Sequence, residues 1–395
     1  MNRRWPAAAV VGVLALAGCS SDLPAENKGA TGAASSTADD APSTSEFFDK
    51  AEYERQLAFR TTDPRGPKGK PWEQMLAPEM TDTAKYAKPG GNHHLCFSNA
   101  AVDNPWRQVG FKTMQQEVKQ HPEITKFTVL DAEAKDDKQI SDIQSFASKD
   151  CSALIVSPNT TATLTPAVES ACETGVPVIV FDRGVKTECP VTFIHPIGGF
   201  AFGADGAEFL KDKVKPGGKI LALRILPGVD VLEQRWAAAD QIFKGSELDV
   251  VGVEFTDGDA AKTKSVVSDY IQREGTIDGV WMDAGATSVA AVEAFQDAGA
   301  EVPAIVGEDQ QDFLRIWAED ELTAIAPTYP TYQWRTPVLA ALKILDGEQV
   351  PKEWVLPQPS IGADEVDRYV QEDLPPLHYA MCGCENMPGY PAPWK

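Results

Sequence analysis

Charged and hydrogen-bonding residues recur directly after short apolar runs in this chain. Asp103-Asn104-Pro105-Trp106-Arg107 comes shortly after Leu95-Cys96-Phe97, and Asp182-Arg183 comes directly after Pro177–Phe181. Asp283 follows Gly279–Met282, Asp309 follows Ala304–Val306, and Arg235 lies on a helical stretch beyond Leu226-Pro227-Gly228. A guanidinium is a rigid fork of donors and a carboxylate accepts from hydroxyls, so an Asp-Arg pair offers both partners a vicinal diol needs. Charge-assisted bonds of this kind contribute about 1.5–3 kcal/mol each. Asn104 suits an N-cap and Pro105 a first helical turn. Trp106 then stands at a helix start, where its indole either packs on an apolar ring face of a ligand or packs on the body of the protein.

Other chemistries have less support. Asp182 and Asp309 as the paired carboxylates of a glycosidase would have to stand roughly 5–9.5 Å apart. No Ser/His/Asp order, zinc spacing or phosphate-cradling Gly loop accompanies them, and His93-His94 is isolated. No catalytic residue, cofactor or metal is expected. Six cysteines remain besides Cys19: Cys96, Cys151, Cys172, Cys189, Cys382 and Cys384. Six allow fifteen connectivities. Cys172 and Cys189 are close enough in sequence to pair. Cys96 and Cys151, in or beside apolar strands, read as buried thiols. Cys382-Gly383-Cys384 reads as a disulfide at the tail in preference to a metal or redox motif.

The elements that must position these residues follow from the hydrophobic pattern. Leu95–Phe97, Phe127–Leu130, Ala153–Val156 and Pro177–Phe181 read as strands, with helical stretches around 104–119, 137–149 and 163–174. After Pro196 the rhythm restarts. Strands are expected at Lys219–Leu226, Val250–Phe255, Gly279–Met282 and Ala304–Val306, and helices near 200–213, 230–244, 259–273 and 285–298. Continuously apolar strands belong to a sheet buried on both faces, hence a parallel sheet with helical crossovers. Gly175–Asp182 echoes Glu301–Asp309: each follows a helix ending in Gly and ends a strand in Asp. The reading is an α/β chain with two equivalent halves. Ligands bind such sheets at the carboxyl ends of the strands, so facing lobes would hold a ligand between them.

The chain begins like an export signal. Arg3 and Arg4 precede an apolar run from Ala7 to Ala17, too short to span a bilayer. Leu16-Ala17-Gly18-Cys19 resembles a lipobox, which makes residues 1–18 a signal peptide and Cys19 a lipidated N-terminus. Residues 19–45, rich in Ser, Ala, Thr, Gly and Asp, read as a flexible tether. Residues 46–91 carry aromatic residues among Pro64, Pro67, Pro71 and Pro78, and read as an irregular arm on the main body. The expected location is the extracytoplasmic face of the cell membrane. Removing residues 1–18 takes away two arginines and no acid, moving the formal net charge from −22 to −24. That disfavours nucleic acid as a partner.

From about 92 to 370 the chain resembles a type I periplasmic binding protein of the ribose-binding group. The resemblance is carried by Asn104-Pro105-Trp106, Ile155-Val156-Ser157-Pro158, Gly175–Arg183, Gly228 to Arg235, and Ile305-Val306-Gly307-Glu308-Asp309. It implies two doubly wound parallel-sheet lobes joined by a multi-crossing hinge, with crossings near Pro196, Pro327 and Pro357. The lobes would comprise 92–196 plus 327–357 and 197–326 plus 358–375, with 376–395 as a C-terminal tail. It implies a monomeric receptor feeding an ABC permease, taking a sugar or polyol by hinge closure. A sensory lipoprotein presenting a sugar-like signal to a membrane kinase, and a secreted carbohydrate-active enzyme, are the alternatives. Asn104, Trp106, Asp182, Arg183, Arg235 and Asp309 match the family's contact positions. Arg107 stands where a second aromatic is common, Ser157 where Asn often contacts ligand, and Asp283 near a usual Asn. Glu308 replaces an aromatic, and Pro327-Thr328-Tyr329 lacks the family's Gln. The frame is kept and the pocket altered, which points away from ribose itself.

Overall fold

A computed structural model describes residues 47–395; the expected signal peptide, the lipidated Cys19 and the tether lie outside the described residues. The arm contributes α1 (Lys50–Phe59) and β1 (Met80–Thr81). Next come β2 (His93–Asn99), α2 (Pro105–Lys119), β3 (Ile124–Asp131), α3 (Asp136–Ala147), β4 (Ala153–Ser157), α4 (Thr161–Glu173), β5 (Val178–Phe181) and β6 (Thr192–Pro196). The second series is α5 (Gly199–Lys213), β7 (Lys219–Arg224), α6 (Asp230–Lys244), β8 (Asp249–Phe255), α7 (Ala260–Glu274), β9 (Gly279–Met282), α8 (Ser288–Asp297), β10 (Ala304–Val306), α9 (Gln311–Glu319) and β11 (Ala324–Pro327). The chain closes with α10 (Thr336–Leu345), β12 (Val350–Pro351), β13 (Glu353–Leu356), β14 (Ser360–Ile361) and α11 (Val366–Tyr369).

Twelve of these strands form two six-stranded sheets, ordered β13-β6-β5-β4-β2-β3 and β14-β11-β10-β9-β7-β8, and β1 pairs antiparallel with β12. All pairings in the first are parallel. In the second only β14, at the edge, runs antiparallel to its neighbour. Alternate residues of each strand enter different cores. Leu95 and Phe97 pack towards Trp334 and α10, whereas Cys96 points to Ile143, Phe146 and Leu164 of α3 and α4. Likewise Val280 and Met282 enter one core of the second sheet and Trp281 the other. Burial on both faces is why these runs carry no polar alternation. The chain passes between the sheets after β6, after β11 and after β13. Among the described residues no helix is long and apolar enough to cross a membrane.

Two expectations need correction. Cys96 and Cys151 are joined as a disulfide, as are Cys172–Cys189 and Cys382–Cys384. The parallel pairing Leu95–Ala153 brings the start of β4 alongside β2, and leaves the Cα atoms of Cys96 and Cys151 5.9 Å apart, within bridging reach. Fifty-five residues of separation hid that proximity. The arm is also more regular than its prolines imply. Asp49 caps α1 by accepting from the Glu52 amide at 3.0 Å, in the proline-free part of the segment. Phe48 and Tyr53 pack edge-on against Phe200 of α5, while Arg55 pairs with Glu353 of β13 at 2.8 Å. The arm therefore touches both lobes. So does the tail: Trp394 donates to Thr113 of α2 at 3.1 Å, and the main chain of 376–381 runs along the start of α9.

Helices α5 and α6 pack closely where Gly203 meets the Arg235 main-chain carbonyl, which a Cβ on Gly203 would strike. Gly203→Ala is therefore expected to destabilise the fold by about 1–3 kcal/mol through overpacking. A urea denaturation midpoint equal to wild type would contradict this.

Candidate ligand-binding cleft

A cleft of about 400 Å³ lies between the two lobes. Its walls come from the segments that follow β2, β5, β7, β8, β9 and β10, together with Tyr329 between β11 and α10 and Tyr379 of the tail. On the first-lobe wall Arg107 is only 3% exposed. Its guanidinium donates to Asp182 Oδ2 at 2.8 Å and to Ser157 Oγ at 3.3 Å. Asp182 is held at φ +69°, a left-handed conformation that Asp tolerates better than bulkier residues. Tyr329 Oη donates towards the Asp182 carbonyl and carboxylate at 3.4 and 3.5 Å. Arg183 is half-buried and donates to the Asn159 carbonyl. Asn104 caps α2, accepting from the Arg107 amide at 3.0 Å at the exposed rim. Trp106 packs on the body of the protein and also lines the cleft. Its Nε1–H donates to the Tyr329 carbonyl at 2.7 Å and its ring packs on Tyr329 and Trp334.

On the second-lobe wall Arg235 lies with its guanidinium 3.8 Å from the Phe202 ring centroid and 5.1 Å from that of Tyr329. It donates to the Asp283 carbonyl at 2.6 Å and stands 3.9 Å from Glu308 Oε1. Glu308 accepts from the Gly285 amide at 3.0 Å and shares the wall with Tyr379. Burial raises its pKa, with Arg235, Gly285 and Tyr379 acting in the opposite direction.

Asn104, Trp106, Arg107, Asp182, Arg183 and Arg235 are brought together on the cleft. Ser157, Asp283 and Asp309, read from the sequence as contacts, do not line it and sit one layer behind. Ser157 receives Arg107. Asp283 is fully buried, accepts from the Ile225 amide at 2.9 Å and faces Arg224 at 3.7 Å. Asp309 is also fully buried and accepts from the Met381 amide at 2.6 Å. Glu308, Tyr329 and Tyr379 replace them on the wall. Glu308 was within one residue of the expected position. Tyr379 lies seventy residues beyond it in sequence, with no local pattern to mark it.

Burial holds the Asp283 carboxyl up at about 7, and burial followed by repulsion from Glu308 holds Asp309 at about 8. Both keep protons in the folded chain that an unfolded chain, with Asp near about 3.9, would release. Their contribution to stability is therefore complete below the unfolded value and is lost as pH rises through the folded one. Asp309→Asn keeps an acceptor for the Met381 amide and removes the charge. It is expected to raise the melting temperature relative to wild type at pH 8 and to do so far less at pH 5. A pH-independent difference would contradict this.

The description "Periplasmic binding protein domain" matches residues 95–349. The ribose import binding protein RbsB of Bacillus subtilis is 26% identical over 276 residues, 68% of this chain and 88% of that protein. A xylitol-binding protein of Mycolicibacterium smegmatis is 24% identical over 232 residues, 58% of this chain and 66% of that protein. Among solved structures, an ABC transporter solute-binding protein from Thermobispora bispora superposes with a TM-score of 0.64 at 22% identity, covering 73% of this chain and 90% of that one. One from Bacillus halodurans with bound myo-inositol gives 0.63 at 19% identity, covering 71% and 97%. Two helix-flanked, mostly parallel sheets, three connections between them and a cleft at their strand ends agree with these likenesses, and the chain belongs to the periplasmic binding protein domain family.

Proposed function

We propose that this chain is the extracytoplasmic solute-binding receptor of an ABC importer, capturing a sugar or polyol in the interlobe cleft. The observation that carries this reading is the pairing of each wall's buried arginine with a carboxylate, Arg107 with Asp182 and Arg235 with Glu308, flanking the rings of Trp106 and Tyr329. Paired walls favour an uncharged ligand, because a net charge on the ligand would have to displace a buried partner. A polyhydroxyl ligand instead accepts from guanidinium groups, donates to carboxylates and lays its C–H face on an aromatic ring. The relatives named for ribose and xylitol, and the neighbour carrying myo-inositol, support that class.

The mechanism is closure of the lobes about the three connections, with the closed form docking on a membrane permease. Each lobe holds its own arginine–carboxylate pair, so closure assembles the site from preformed halves. Anchoring through Cys19 on the extracytoplasmic face and a monomeric state complete the proposal. The lipobox supports the anchor, and the tether would hold the lobes clear of the membrane. The carbohydrate-active enzyme reading, as built on Asp182 and Asp309, gains no support. Asp309 is engaged by the tail behind Glu308, and Asp182 is paired with Arg107, so the two carboxylates do not face a common cleft.

Tryptophan fluorescence and thermal shift of the mature chain across pentoses, hexoses and polyols test this reading. At least one ligand should quench or shift the emission and raise the melting temperature; no response across the panel would overturn the assignment. Arg183→Ala removes a half-buried cleft donor, and is expected to weaken binding about tenfold or more with little change in the unliganded melting temperature. Wild-type affinity in that variant would move the site elsewhere.

A further inference from the structure

The family match ends at residue 349, yet the segment beyond α11 returns to the cleft. The Gln311 and Asp312 amides donate to the His378 and Pro376 carbonyls at 2.9 and 2.8 Å. The Ala380 amide donates to the Asp309 carbonyl at 2.8 Å, and the Met381 amide to Asp309 Oδ2 at 2.6 Å. Between these bonds Tyr379 is fixed, 4% exposed, on the second-lobe wall beside Glu308. The rest of the tail is secured elsewhere. The Tyr332 amide donates to the Met381 carbonyl at 3.0 Å, Arg335 donates to the Gly383 carbonyl, and Trp394 reaches Thr113 of α2. That is the helix whose first turn carries Trp106 and Arg107.

We propose that the C-terminal tail is a ligand-recognition element, in which Tyr379 and Glu308 form a hydroxyl-reading subsite on the second-lobe wall. The proposal rests on the polyhydroxyl reading of the cleft and goes beyond it by giving a residue outside the matched domain a part in selectivity. In the unliganded cleft the phenol and the buried carboxylate line the same wall. A ligand hydroxyl inserted between them donates to Glu308 and accepts from Tyr379 Oη, so both groups stay satisfied as water is excluded. A ligand with C–H at that position leaves both partners without it. Discrimination against a missing hydroxyl is strong when a site is built to bond that hydroxyl.

The test uses the full mature chain and titration calorimetry with the panel above, followed by deoxy analogues of the tightest ligand. Tyr379→Phe removes one oxygen and keeps the ring, and Glu308→Gln keeps an acceptor. Each is checked for an unchanged unliganded melting temperature, so that either can carry the result if the other fails to fold. Both should lower affinity for the tightest ligand about tenfold. One deoxy analogue should lose about as much against wild type, and little further against Tyr379→Phe. If a panel member binds wild type but both variants keep its affinity and the rank order, the tail subsite is overturned and the receptor reading stands. If no member binds wild type, the receptor reading falls and the subsite falls with it.

Discussion

The organisation of the cleft depends on keeping two guanidinium groups, those of Arg107 and Arg235, almost entirely out of water. An isolated buried ion costs several kcal/mol, so each must be met by oxygen atoms placed before any ligand arrives. The fold supplies them at strand ends, where backbone pairing fixes position closely. Ser157 closes β4 and Asp182 follows β5, its neighbour in the sheet, so both oxygens reach Arg107 from adjacent strands. On the other lobe, the Asp283 carbonyl after β9 and the Glu308 carboxylate after β10 hold Arg235 in the same way. Phe202 beneath the second guanidinium supplies its ring face. The arginines are thus oriented by the protein, which lowers the ordering cost a ligand would otherwise bear.

The same constraint explains how the hinge is finished. Tyr329 lies between β11 and α10, where the chain passes between lobes, and it touches both walls: its hydroxyl reaches Asp182 while its ring lies under Arg235. Its phenol is pushed well above its ordinary pKa, chiefly by burial, and so remains a donor. The arm adds further connections that bridge the lobes. Arg55 joins Glu353 on β13, while Arg60 pairs with Asp205 on α5 and Gln56 accepts from the Ala201 amide. Glu353 also meets His195 at 3.0 Å, and these partners hold its carboxyl below the usual range. The two lobes are therefore joined by terminal segments as well as by the three connections.

Much of this was legible in the sequence, for a definite reason. Strands buried on both faces must be continuously apolar, so Pro177–Phe181 and Gly279–Met282 declared themselves, and with them the strand ends that carry Asp182 and the wall of the cleft. The N-cap at Asn104 is equally local. What was not legible depends on contacts between distant segments. The Cys96–Cys151 disulfide needs the β2–β4 pairing. Helix α1 is weakly amphipathic, and is held by a cap and by its contacts with α5 and β13. Tyr379 becomes a wall residue only because Asp309 captures the tail backbone.

Asp309 shows why a strand-end acid cannot be assigned a role from its position alone. Val180-Phe181-Asp182 and Val306-Gly307-Glu308-Asp309 are similar in sequence and both end parallel strands. After β5 the backbone turns at once into the left-handed region, which places Asp182 against Arg107. The first residue after each strand still pairs, the Asp182 amide with the Ile194 carbonyl at 3.0 Å and the Gly307 amide with the Ile325 carbonyl at 2.9 Å, but after β10 the bend comes only at Asp309. Glu308 stands before that bend and Asp309 in it, and the two adjacent acids face different surroundings. Glu308 takes the cleft and Asp309 takes the tail. Gly307 is required there because a Cβ would strike the Phe313 ring. One backbone step thus exchanges which carboxylate lines the cleft, and the displaced one holds a segment that carries a further side chain, Tyr379, to the same wall.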